Sequence, residues 1–436
     1  MAQDTLDRLL RGEFADPDGG PPLNVPTRSV VIADSLAGRE ADLVAGLDLG
    51  KSLALVSDDN THRVLGARVA AALLPVARVS EVRLPGRPHA DAVTVEAIRR
   101  ESVACDALVA VGSGTINDLC KYVAAQDGKG YAVFATAPSM NGYTSVNAAI
   151  TIDGHKKSLP ATAAAGVFMD LEVLAQAPPR MIRSGLGDSL CRPTAQADWL
   201  LAHLLLDRPY REAPFALLTG DEAALFADAE GLMRGSLEAM RRLARTLTLS
   251  GFGMTICGGS HPASEGEHLI GHYVEMRAPA EWPEAFHGEL IGVTTLTMAR
   301  LQERMLANGA PRLTASRPTE ATVKEHFGTE LGTELGAACW REFAGKRLDG
   351  AAAAALNARL EARWEEIRER VSAVTLPAAT LEDVLARAGA PTRPDHLHWP
   401  RDFYRDAVRH AREIRNRYTF LDLAADSGAL DDLDFV

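Results

Sequence analysis

The chain lacks the features that would place it in a membrane, outside the cell or on a nucleic acid. No apolar run approaches the roughly 20 residues needed to cross a bilayer. The opening MAQDTLDRLLRGEF mixes charges where a signal peptide would be basic and then apolar. A cytoplasmic protein with no membrane partner is therefore expected. Cysteine is scarce: Cys105, Cys120, Cys191, Cys257 and Cys339 are odd in number, scattered, and form no CxxC pair. That usage argues against a redox or zinc role for them and predicts buried thiols in a reducing compartment. Positive charge is in deficit, with a formal net charge of −12, so no nucleic-acid partner is expected, since phosphate backbones are bound by clustered Lys and Arg.

What is present is a globular composition. Hydrophobic residues at 47% and charged residues at 24% exclude a disordered chain, and 436 residues exceed one ordinary core, so two domains are expected. Over the first 175 residues or so, short apolar runs alternate with helical patterns. Ser29–Ala33, Leu53–Ser57, Ser80–Leu84, Ala107–Val111 and Ala132–Ala135 read as strands, with HRVLGARVAAALL and DAVTVEAIRRES as helices between them. Such alternation predicts an α/β fold with a mostly parallel sheet, whose ligands bind beyond the carboxyl ends of the strands. The prolines of Ala177–Arg180 mark a boundary. Beyond it, Glu222–Leu247 and Asp349–Val374 predict a helical second half. The expected organisation is a lead-in over 1–28, an α/β nucleotide-binding domain over 29–178 and an α-helical metal-binding domain over 179–436. The Pro/Gly-rich Asp16–Pro26 and the acidic tail after Ala424 are expected to be exposed and peripheral.

In VAVGSGTINDLCKY a strand runs into Gly112-Ser113-Gly114, and Thr115 or Asn117 is placed to cap the helix that follows. Glycines admit a phosphate close to the backbone, where the first helical N–H groups face it. The stretch does not complete GxGxxG, and a plain strand–helix turn is the competing reading. TAPSMNGYTS, residues 136–145, has the small and hydroxyl composition of a nucleotide wall or of a simple connection. Asp58 ends a strand, where a carboxylate takes the hydroxyls of an adenosine ribose and favours NAD over NADP. An exposed turn residue is its plainer reading.

The second half collects Asp188 in SGLGDSLCR, His268 and His272 in EGEHLIGHY, and His287 in AFHGELIG. His268 and His272 are four apart and share a helical face. Imidazoles with one carboxylate suit zinc or a similar first-row ion with a coordination position left for substrate. Composition alone leaves open which three of the four are ligands.

In this order, GSGTINDLCKY, TAPSMNGYTS, GLGDSLCR, SEGEHLIGH and FHGE resemble the sn-glycerol-1-phosphate dehydrogenases, most of all the bacterial AraM-like branch. These belong to the superfamily of iron-containing alcohol dehydrogenases, glycerol dehydrogenase and 3-dehydroquinate synthase. The likeness runs from about Ser29 to about Arg300. It implies a Rossmann-like nucleotide-binding domain followed by an all-α metal-binding domain, the dehydroquinate synthase-like fold, in a homodimer. It implies a nicotinamide site at Gly112, Ser113, Gly114, Thr115 and Ile116, completed by Thr136, Ala137, Pro138, Ser139 and Ser145, with Asp58 at the ribose. The cofactor would be NAD, with NADP as the alternative. The resemblance makes Asp188, His268 and His287 the ligands of one divalent ion, Zn2+ before Ni2+ or Fe2+. It turns His272 and the second oxygen of Asp188 toward substrate and catalysis. The substrate implied is dihydroxyacetone phosphate or a similar phosphorylated ketone or polyol. Asn141 stands in SMNGY where many members of the family have Asp, which opens the alternative of another polyol or sugar phosphate; a lyase like 3-dehydroquinate synthase is the more distant one. Lys156, Lys157 and Arg192 are the candidate phosphate contacts.

Overall fold

The computed structural model describes residues 4–152 and 155–436, without the side chains of His155, Lys156 and Glu330. Contacts divide the chain into two compact units. One is Met1–Ser189 with Arg211–Ser260, the other Leu190–Tyr210 with His261–Val436.

The first unit holds eight strands: β1 (Ser29–Ala33), β2 (Ser52–Asp58), β3 (Arg78–Leu84), β4 (Ala107–Gly112), β5 (Gly130–Ala135), β6 (Asn147–Ile152), β7 (His155–Pro160) and β8 (Gly166–Asp170). Six form a wholly parallel sheet in the order β1-β8-β5-β4-β2-β3, and β6 with β7 makes a separate antiparallel hairpin. The five strands expected from the sequence are all present. The central β4 is buried throughout, as parallel strands covered on both faces must be, whereas the edge strand β3 exposes Glu81 and Arg83. On one face Leu53, Leu55, Val109, Val111, Ala132, Phe134 and Phe168 pack on Leu65, Val69 and Leu73.

Three segments depart from expectation. Asp16–Pro26 is exposed over residues 17–22, as expected, but Leu23 and Val25 turn inward to join Leu6 and Leu9 in a core with Leu217, Leu249 and Phe252, and Arg211 is paired with Asp16 and Asp18. Buried leucine area outweighs the local Pro/Gly content there. Glu222–Leu247 is broken into Asp221–Ala227, Ala229–Met233 and the start of Leu237–Cys257, because Gly235 turns at φ 71° and the Ser236 hydroxyl caps the last helix at the N–H of Ala239. That long helix packs on β1 and on Pro179–Ser189, so it joins the first unit and the compact units do not divide at residue 178.

The second unit is helical among its described residues. Its acidic tail is also packed: Leu430 and Leu433 are buried, and Asp426 accepts from Arg412 at 2.8 Å and from Ser316 at 3.0 Å. No described helix is long and apolar enough to cross a membrane.

Candidate active site

In the first unit, β4 passes through Ser113 directly into the helix Gly114–Asp127. A Cβ on Gly112 would lie 2.5 Å from Cβ of Ile116, so only glycine permits this turn. Ser113, rather than Thr115 or Asn117, is the capping residue, and its side chain makes no cap hydrogen bond. Among the described residues no side chain caps the first-turn N–H groups, the arrangement that receives an anion. Ser113, Gly114 and Thr115 are partly exposed, whereas Ile116, Thr136, Ala137, Pro138, Ser139 and Ser145 are buried and shape the loops behind them. The N–H of Thr136 donates to the carbonyl of Gly112 at 3.1 Å, tying the two loops together. Asp58 closes β2, and its Oδ1 accepts from the N–H groups of Asn60 and Thr61 at 2.8 Å each, so one carboxylate oxygen is already engaged in capping.

Lys121, two turns into that helix, escaped the sequence reading. It is fully buried, and its Nζ donates to the carbonyls of Gly142 and Asn147 at 2.5 and 2.9 Å and to Ser145 Oγ at 3.1 Å. Burial pulls its pKa down, against the pull of Asp118. Lys121 thus clasps the end of the 136–145 loop. Two close approaches hold the rest of that loop. A Cβ on Gly185 would fall 1.7 Å from the carbonyl oxygen of Pro138, and one on Gly251 would fall 2.5 Å from that of Asn141. Two helices are thereby pressed against the loop. Ser184 Oγ donates to the carbonyl of Ser139 at 3.0 Å, and Asp188 Oδ2 accepts from the N–H of Asn141 at 2.8 Å. The Asn141 amide reaches Ser250 Oγ at 3.3 Å. Asp188 and Asn141 are therefore one assembly, both set by backbone-level packing.

In the second unit, the helices Gly266–Arg277 and His287–Leu306 bring three imidazoles together. Ring centroids are 5.2 Å apart for His268 and His287, 5.9 Å for His268 and His272, and 6.3 Å for His272 and His287. Gly271 allows this approach, since a Cβ there would lie 2.3 Å from Leu290 Cδ2. His268 Nδ1 donates to Oε1 of the buried Glu267 at 2.9 Å, which leaves Nε2 with its lone pair for a metal ion. Glu267 is itself fixed by the N–H of Glu265 at 2.8 Å. His272 Nδ1 donates to Glu275 Oε2 at 3.1 Å, and the other oxygen of Glu275 lies 3.7 Å from His287 Nδ1. These donors fit a first-row divalent cation, with a carboxylate orienting the His268 ring and another beside the other two. Glu267 and Glu275 were missed in the sequence, although Glu267 sits inside the quoted EGEHLIGHY and Glu275 two residues beyond it.

Burial, reinforced by Arg415, depresses His272 to about 3, so the ring is neutral at working pH. Its folded-state pKa lies below the ordinary 6.5, so protonation favours the unfolded chain and its stability contribution is lost as pH falls below about 6.5. Nearby, burial and then the Glu267 charge push the carboxyl of Asp198 well up. Cys191, Glu267 and His268 also offer ligand atoms within 4.8 Å of one another, but the Glu267–His268 hydrogen bond already occupies that pair. The side chain of Lys156 lies outside the described residues, Lys157 is exposed on β7, and Arg192 donates to Gln196 at 2.8 Å and to the carbonyl of Val374. None of the five cysteines is in a disulfide.

Residues 31–178 match the family described as iron-containing alcohol dehydrogenase. A glycerol-1-phosphate dehydrogenase [NAD(P)+] of Bacillus licheniformis is 27% identical over 94% of this chain and 92% of its own length. Its counterpart in Geobacillus stearothermophilus is 30% identical over 72% of this chain and 70% of that protein. The crystal structure of a probable glycerol dehydrogenase from Sinorhizobium meliloti 1021 shares the fold, with a TM-score of 0.62 at 17% identity, over 94% of this chain and 97% of that one. The chain belongs to the glycerol-1-phosphate dehydrogenase family.

Proposed function

We propose that this protein is a metal-dependent NAD(P)H oxidoreductase interconverting dihydroxyacetone phosphate and sn-glycerol 1-phosphate. Asp188, His268 and His287 are assigned as the ligands of one divalent ion, zinc foremost. The observation that carries this reading is the three-imidazole cluster, with Glu267 fixing the tautomer of His268. The nicotinamide supplies or takes the hydride, and the ion, when bound, supplies Lewis-acid polarisation of the carbonyl.

The chain's own residues position these reactants. The first-turn amides after Ser113 receive the cofactor pyrophosphate, and the clasp of Lys121 keeps the 136–145 loop beside them. Asp188 fixes the backbone of Asn141, whose amide both donates and accepts toward a substrate hydroxyl. His272, with Nδ1–H committed to Glu275, presents Nε2 as an acceptor for the substrate hydroxyl proton. Its burial makes it a hydrogen-bonding group rather than a switch of charge near neutrality. We extend the reading to a cytoplasmic homodimer; unbridged cysteines support the compartment, and light scattering tests the dimer.

NADH consumption with dihydroxyacetone phosphate is expected to saturate, to fall to background after chelation and to return with added Zn2+. Turnover that survives complete metal removal overturns the metal assignment. Turnover of a different polyol phosphate in place of this one supports the second reading, which rests on Asn141, and keeps the class.

A further inference from the structure

Asp198 lies in the helix Arg192–Leu206, in the same compact unit as the three histidines, and is fully buried. Its carboxylate takes hydrogen bonds from three other helices. Oδ2 accepts at 2.9 Å from the N–H of Gly266, the first residue of the helix that carries His268. Oδ1 accepts at 3.3 Å from Gln302 Nε2, in the helix that His287 opens, and at 2.9 Å from the N–H of Phe420.

These bonds fall where local capping is missing. Glu265 precedes the His268 helix and gives it no side-chain cap, so Asp198 takes the first N–H instead. The fit is close: a Cβ on Gly266 would lie 2.5 Å from Cε of Met298, on the His287 helix, and 2.6 Å from Asp198 Oδ2. Gln302 adds a second tie. Its Nε2 also donates to the carbonyl of Thr194 at 3.0 Å, and Thr194 Oγ1 donates to Oε2 of Glu267 at 3.4 Å, the carboxylate that orients His268. A single carboxylate thus joins the start of one histidine-bearing helix to the body of the other.

The geometry assigns Asp198 as a positioning residue for the metal centre: it sets the His268 helix against the His287 helix so that both imidazoles face one ion. This rests on His268 and His287 being ligands. Burying a carboxylate costs more than burying an apolar side chain, and what it supplies here is register between the two helices. A metal site tolerates ligand distances to within about 0.2 Å, so a small slip of one helix along the other weakens it.

Titration of the metal-free full chain with Co2+ tests this without requiring turnover, because the visible bands of that ion follow its coordination geometry. In Asp198→Asn one oxygen becomes an N–H donor, so either Gly266 or the pair of Gln302 and Phe420 loses its acceptor. The Co2+ Kd is expected to rise roughly tenfold to a hundredfold, and the spectrum of the saturated protein to shift. Gln302→Leu spares the Gly266 bond and is expected to raise the Kd by a smaller factor; it carries the comparison if Asp198→Asn does not fold. A lower melting temperature in the metal-free variants, with Kd and spectrum unchanged, marks a purely structural role and overturns the positioning. His268→Ala separates this from the ligand reading. Binding lost there but untouched in Asp198→Asn and Gln302→Leu refutes the positioning alone. Binding unchanged in His268→Ala refutes the ligand assignment and the positioning with it.

Discussion

Replacing His268 with alanine is expected to lower kcat with dihydroxyacetone phosphate by about a thousandfold or more and to leave the purified protein with far less than one equivalent of metal. Lewis-acid stabilisation is worth several kcal/mol, and each ~1.4 kcal/mol is a factor of ten in rate. The structure sharpens the expectation through Glu267. In Glu267→Gln the ring remains, but the carboxylate that accepts its Nδ1–H at 2.9 Å becomes an amide able to present a donor instead. That change is expected to weaken metal binding by roughly tenfold to a hundredfold, the usual effect of losing an orienting partner. Elemental analysis after gel filtration and competition with a chelator of known affinity measure both. A His268→Ala protein that retains stoichiometric metal and wild-type turnover would remove His268 from the ligand set.

The different fates of the expectations have physical reasons. Periodicity located β2, β4 and β5 because strands buried on both faces appear as short apolar runs, and it also located the partly buried edge strands β1 and β3. It missed β8 (GVFMD), which lies between β1 and β5, and the hairpin strands β6 and β7. The i,i+4 spacing of His268 and His272 was legible, as was the glycine turn. The exposure of Asp16–Pro26 was legible except at Leu23 and Val25, because Pro/Gly content reports local conformation, whereas the burial of those two depends on Leu217, Leu249 and Phe252, about two hundred residues away. Lys121 marks the deeper limit. In a sequence, a lysine clasping a loop from inside a core is indistinguishable from one in solvent; only burial and partners separate them.

Gly185→Ala is expected to be the most damaging single-methyl change in the first unit. The added Cβ would sit 1.7 Å from the carbonyl oxygen of Pro138, and because this is backbone, no side-chain rotation relieves the clash. Helix Pro179–Ser189 or the 136–141 loop must shift on the order of an ångström, at a cost of about 1–3 kcal/mol or more. Both hydrogen bonds across that contact, Ser184 to Ser139 and Asn141 to Asp188, are geared to the present spacing. Asp188 and Asn141 would then be displaced with respect to each other, and a misplacement of that size costs about a hundredfold in turnover. The variant is therefore expected to melt at a lower temperature and to lose kcat together, although the substitution touches no proposed ligand. Gly309→Ala is the matched control: its Cβ would meet nothing within 4 Å and its φ is not positive, so both quantities are expected to stay at wild-type values. Thermal melting with parallel NADH assays decides the matter. A Gly185→Ala protein as stable and as active as Gly309→Ala would mean that the loop is not held by this helix, and that Asp188 and Asn141 are positioned by something else.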